Sequence, residues 1–164
     1  MTQQKKHIVT FAAATLLLFT AMNVITDFPL LDTMWRPAAD EIHRTVSALT
    51  DGQIRAYRIM LAMDFLYAVA YTGLLILLFR YYGSNQGFRS VINRSGIVAA
   101  GTAGVLDYLE NGLVLAILAA RPEESSLAAV LGVVTTLKWI AVAGAVGIFV
   151  IVMFVPKKRE TRQG

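Results

Sequence analysis

Four long runs of apolar residues divide the chain, at about 8–28, 57–80, 96–120 and 126–155. A helix rising about 1.5 Å per residue needs roughly 20 residues to cross a hydrocarbon core of about 30 Å. Each run is long enough, so the pattern predicts four membrane-spanning helices. The polar connection at 29–55 carries a different pattern. Pro29 and Pro37 break the chain early in it. Beyond them Ile42, Val46 and Leu49 recur at helical spacing among Asp40, Glu41, His43 and Arg44. That predicts a short amphipathic helix over about 38–49. It can lie at the membrane interface, cap the bundle, or stand as a solvated loop helix.

The ends of the runs carry boundary signals. Thr50 and Gln53 have the spacing of a capping box at the start of the second span. Arg80-Tyr81-Tyr82-Gly83 supplies a charge, interfacial aromatics and a stop. Residues 83–95 read as a polar loop. Arg121-Pro122-Glu123-Glu124 reads as a tight turn joining the last two spans in an antiparallel hairpin, and Pro156-Lys157-Lys158-Arg159 as a basic flank. Lys5 and Lys6 before the first run also fit a cleaved signal peptide. The run is longer than a usual signal core and no clean cleavage site follows it, which favours an uncleaved anchor. The fold expected is all-α: one transmembrane domain over 1–164, a four-helix bundle with an interfacial helix in the first extracytoplasmic loop.

Composition agrees with this and narrows the chemistry. Hydrophobic residues make up 56% of the 164, only 16% are charged, and the mean hydropathy is +0.58. No polar stretch is long enough to form a soluble domain. Cysteine is absent, which removes disulfides, thiol nucleophiles and thiolate metal sites. The net charge of +4 sits at span ends and reads as topology control, with nucleic acid not expected as a partner. Nine Lys and Arg fall in the N-terminal segment, the second loop and the C-terminal segment, and five in the other two loops. The positive-inside rule then puts both termini in the cytoplasm of a cell with the chain in its inner (plasma) membrane.

The candidate chemistry is inside the spans. Asp107-Tyr108-Leu109-Glu110-Asn111 places two carboxylates and an amide at i, i+3 and i+4, on one face of the third span. The small residues Ala100, Ala103 and Gly104 share that side and let a neighbouring helix come close. On the second span Tyr57, Met60, Asp64, Tyr67 and Tyr71 form one stripe. Lys138 interrupts the fourth span, next to Thr135, Thr136 and Trp139. Thr20, Asn23 and Asp27 share a face near the end of the first.

Counted along the helices, Asp107 lies at a depth of roughly 16 Å from the cytoplasmic side, Glu110 at 21 Å, Asp64 at 20 Å, Asn23 at 22 Å and Lys138 at 13 Å. All four spans therefore contribute polar groups to one band. An isolated charge at the bilayer centre costs about 2.5–3.5 kcal/mol on insertion scales, which drives these groups together. Lys138 can neutralise one acid as its counter-ion. Close carboxylates do not all stay ionised, so a proton, a cation or a cationic ligand must meet the surplus. Tyr67 and Tyr71 pack with their hydroxyls toward the acids, or line a pocket with their ring faces.

No G-x-S-x-G, Ser–His–Asp set or phosphate-cradling glycine loop is present, so no catalytic residue is assigned. His7 and His43 lie outside the spans, which excludes a histidine zinc site, and no cofactor is indicated. Oxygen ligands from Asp64, Asp107, Glu110 and Asn111 leave a hard cation open. The candidate ligand-binding or proton/cation site is thus Asn23, Asp64, Tyr67, Tyr71, Asp107, Glu110, Asn111 and Lys138. The functions this allows are binding a small amphipathic or cationic molecule or a lipid inside the bundle, proton- or cation-coupled transport as a homo-oligomer, a carboxylate-pair enzyme, and a structural subunit whose polar network holds helices together. Membrane lipids are the expected surroundings.

The segments D-x-x-Y (Asp64, Tyr67), D-Y-L-E-N (107–111) and T-T-L-K-W (135–139) resemble a small bacterial four-span membrane family, a resemblance that brings no activity with it. The plan, with a long first connection and carboxylates within the bundle, is also similar to that of EXPERA-type proteins (sterol isomerase and sigma-2-receptor relatives). No signature motif of theirs matches residue by residue, and the isomerase's histidine-containing site has no counterpart in these spans.

Overall fold

In the computed structural model, which describes residues 2–83, 87–121, 123 and 125–154, five α-helices and one 3-10 turn account for the fold, and no strand occurs among the described residues. They are α1 (Gln3–Ile25), α2 (Ala39–Ala48), α3 (Asp51–Tyr82), α4 (Gly87–Ala120) and α5 (Leu127–Phe154), with the 3-10 turn at Leu31–Thr33. Helices α1, α3, α4 and α5 are each long and apolar enough to cross a membrane. That is the make-up of a multi-pass membrane protein. In hydrocarbon only a helix or a closed barrel satisfies every backbone polar group, so an all-helical chain is the physical consequence of the apolar runs.

The boundaries move in two informative places. The first span ends at Ile25 and not near residue 28, because Phe28 precedes Pro29 and is steered out of the helical region. Asp27 therefore leaves the helix face it was expected to share. Thr20 and Asn23 stay on it, each bonded to its own helix at the carbonyls of Leu16 and Phe19. The third span starts at Gly87, well before residue 96, so much of the expected polar loop is helix. A helix of 34 residues is about 51 Å long and simply projects beyond the hydrocarbon. The second span starts at Asp51 with the expected capping box: Thr50 Oγ1 accepts from the Gln53 backbone N–H at 3.3 Å, and Gln53 Oε1 accepts from the Thr50 N–H at 2.9 Å. Two expected features, Pro122 and Glu124 of the turn and the basic flank at 156–159, lie outside the described residues.

The spans do not close into a ring. The most extensive interface joins α4 to α5; α1 packs on α3 and α3 on α4. Among the described residues no interface of comparable extent joins α1 to α5. Small residues set the close approaches. A Cβ on Gly104 would come within 2.5 Å of Thr72 Oγ1, where α4 meets α3, and one on Gly73 would meet the Phe11 ring where α3 meets α1. Ala100 and Ala103 are fully buried, as their place beside Asp107 predicts.

The connection between α1 and α3 folds over one end of the bundle. Helix α2 caps that end: Ile42 and Val46 are buried against the core that includes Leu131 of α5. Leu31 is buried there too, its N–H donating to the Tyr57 hydroxyl at 2.8 Å. His43 reaches the Ser125 carbonyl at 3.0 Å, tying α2 to the segment between α4 and α5. The amphipathic helix is thus a cap, with its polar Asp40–Arg44 side outward.

Candidate functional site

Helix periodicity puts Asp107, Glu110 and Asn111 on the inner face of α4, and all three are buried. Lys138 arrives from α5 through the most extensive interface in the protein. Its Nζ lies 3.2 Å from Asp107 Oδ1 and also pairs with Glu110 Oε2. Thr135, one turn before Lys138, donates its hydroxyl to Glu110 Oε1. Glu110 is fully enclosed (0% exposed), and these two α5 residues hold its two oxygens. On the α3 side, Asn111 Nδ2 donates to Asp64 Oδ2 at 2.8 Å.

The polar groups of α3, α4 and α5 are thereby brought into contact. Asp64, Asp107, Glu110, Asn111 and Lys138 form one cluster. The counter-ion expectation for Lys138 takes a stronger form, because the ammonium bridges two acids. It also occupies the space between Asp107 and Glu110 that a hard cation would need. Among the described residues no group of three or more acidic, histidine or cysteine side chains is arranged to hold a metal ion.

The other candidates lie around a cavity of about 210 Å³ beside this cluster. Asp64, Asp107 and Lys138 form its polar floor; Tyr67 and Tyr71 of α3, Phe19, Met22 and Asn23 of α1, and Trp139 and Val142 of α5 form its walls. Leu30 and Thr33 approach from the connection, so the cavity lies toward the capped end. It occupies the gap where α1 and α5 fail to pack. Phe19 is 52% exposed and Trp139 37%, so the lining runs out to the surface of the bundle.

Aromatic rings line this opening. Phe19, Tyr67 and Tyr71 follow one another with centroids 6.4 Å and 5.3 Å apart, and Lys138 Nζ lies 5.2 Å from the centre of the Trp139 ring. The Tyr71 hydroxyl is buried beside Asp107 and Thr72 without reaching full hydrogen-bond geometry to either. Asn111 Oδ1 is likewise a buried acceptor with no donor in place. Tyr67 and Tyr71 thus line the cavity while standing close to Asp64 and Asp107.

Sequence reasoning missed Thr135 and Trp139 as members of the site, although both flank Lys138. Their signal was helical spacing: Thr135 stands at i−3 from Lys138. It also missed Phe19, Met22 and Val142, for which an apolar span carries no signal at all. Fold and cluster together define a multi-pass helical membrane protein with an acid-rich charged cluster buried among its spans. The chain matches no protein-family model, no curated protein and no solved structure.

Proposed function

We propose that the protein binds a small amphipathic molecule or lipid with a positively charged head, held in the cavity between α1 and α5. The observation that carries this is the placement of Asp64, Asp107 and Lys138 on one cavity whose remaining lining is mostly apolar and aromatic. The buried ionisable groups of the cluster are three carboxylates and one lysine. A cationic head supplies the missing charge, and the rings of Tyr67, Tyr71 and Trp139 suit a cation at close range. The volume is below the roughly 300–1,000 Å³ of sites that enclose a whole ligand. It fits a head group, with the tail leaving sideways into the bilayer.

The test is mass spectrometry of small molecules and lipids retained by the protein purified in native membrane discs. A specific amphiphile should be retained by the wild type and lost from an Asp64→Asn, Asp107→Asn double variant that still folds. Identical, bulk-like lipid in both would remove the proposal.

A second reading has one observation in its favour. Glu110, Thr135 and Lys138 are satisfied by one another with no access to the cavity at Glu110, which is what polar glue between two helices looks like. It accounts for that half of the cluster and leaves the cavity unexplained.

For the setting, we propose a plasma-membrane protein with both termini cytoplasmic, so that the cavity faces the outer leaflet. The chain has no native cysteine. Gln3→Cys and Ser47→Cys should label from opposite sides with a membrane-impermeant maleimide, Ser47→Cys from outside; labelling of Gln3→Cys from outside would reverse the orientation.

A further inference from the structure

The cavity gives Lys138 a role beyond neutralising an acid. Asp107 lines the cavity, whereas Glu110 lies behind it, and Lys138 joins the two. The lysine ammonium is thus already placed on the cavity wall, against the carboxylate that an incoming cation would meet.

We propose that Lys138 is a built-in occupant of the site: it holds at Asp107 the position taken by the ammonium of a single-chain amphiphile, and on binding it passes wholly to Glu110. This rests on the cavity being an amphiphile site, and it names the selector within it.

Three observations point this way. Glu110 is held by Thr135 as well as by Lys138, so its carboxylate stays fixed and ready to keep the lysine alone. Lysine is a compact point charge on a flexible stem, so leaving Asp107 needs rotation of side-chain bonds and no helix movement. The tyrosine hydroxyl of Tyr71, buried beside Asp107 and lacking full hydrogen-bond geometry, is in place to accept from the arriving ammonium.

Selectivity follows from the exchange. A neutral head group cannot replace an ammonium at Asp107, and a phosphate would face a surplus of carboxylates. A monocation replaces like with like and brings the cluster to three acids against two cations. Lys138 therefore sets the threshold that a ligand's charge must meet, which makes it a specificity-determining residue.

The experiment is calorimetric titration of the protein in lipid nanodiscs, with empty discs as reference, using dodecylammonium and the neutral dodecanol as probes. Wild type should bind dodecylammonium saturably and dodecanol far more weakly. Replacing the pair by neutral side chains of similar size, Lys138→Met with Glu110→Gln, removes the competitor. It should tighten dodecylammonium by about tenfold or more, given the strength of a charge pair at partly buried sites, and leave dodecanol unchanged. Lys138→Arg, whose fork bridges two carboxylates more firmly, should weaken dodecylammonium, and it carries the test if the double variant does not fold. Dodecylammonium bound by the wild type with affinity unaltered in both variants overturns the role of Lys138 and leaves the cavity reading standing. Equal affinity for dodecanol overturns the charge selection. Failure of the wild type to bind dodecylammonium removes both.

Discussion

The two sides of α5 are built on opposite terms. Toward α4 it is sealed: Thr135 and Lys138 meet Glu110 and Asp107 within the extensive α4–α5 interface, and Glu110 is satisfied inside it. Toward α1 it is not sealed, and Asp64, Asp107, Asn23 and the tyrosines line the space left over. Both sides hold carboxylates of the same cluster. The same kind of buried charge is therefore held in two ways: Glu110 is enclosed by α5 side chains, whereas Asp64 and Asp107, although buried, border a cavity.

The comparison breaks most visibly at Glu110. Glu110→Ala leaves the Lys138 ammonium and the Thr135 hydroxyl without their shared acceptor on the sealed side. Lys138 keeps Asp107, so the cost is that of the orphaned Thr135 hydroxyl and the weakened ion pair, about 1–3 kcal/mol. Reversible unfolding in mixed micelles should show a loss of that size. Asp64→Asn on the open side keeps an acceptor for Asn111 and should cost under about 1 kcal/mol. Equal losses would mean that the two sides do the same job.

Packing supplies a second contrast. At Gly104 an added side chain meets Thr72, so Gly104→Val should destabilise by about 1–3 kcal/mol through overpacking. At Gly144 nothing lies within 4 Å of an added Cβ, so Gly144→Ala should be neutral or stabilising by about 0.5–1 kcal/mol. The same unfolding measurement separates them, and a loss at Gly144 would indicate a packed partner on that face. Smallest is Asn23→Ala at the cavity wall. Its amide donates to its own helix, at the Phe19 carbonyl. Stability should change by less than about 0.5 kcal/mol, while retention of a bound amphiphile should weaken measurably; unaltered retention would remove Asn23 from the site.

The spans and the sealed side were legible in the sequence because both follow from periodicity and cost. An apolar run of this length has one solution in a bilayer, and charges at matching depth have one way to be tolerated. Asp64, Asp107, Glu110, Asn111 and Lys138 could be grouped on that ground alone. The gap between α1 and α5 was not legible. It depends on which face α1 turns to α3, and a helix apolar on all sides gives no periodic cue to that choice. What fixes it is shape, the Phe11 ring lying against Gly73, and shape complementarity between apolar helices has no polar marker. The early start of α4 was hidden for a related reason: leaving the hydrocarbon gives a helix no physical cause to stop.

The central claim, that the open side receives an amphiphile while the sealed side does not, is tested most directly by photo-cross-linking. A single-chain amine carrying a diazirine in its tail, added to the protein in membranes, should label Phe19 and Met22 of α1 and Trp139 and Val142 of α5 ahead of other lipid-facing residues, and unlabelled dodecylammonium should compete it away. Even labelling over the whole apolar surface, Val105 and Leu109 of α4 included and indifferent to competitor, would contradict the account.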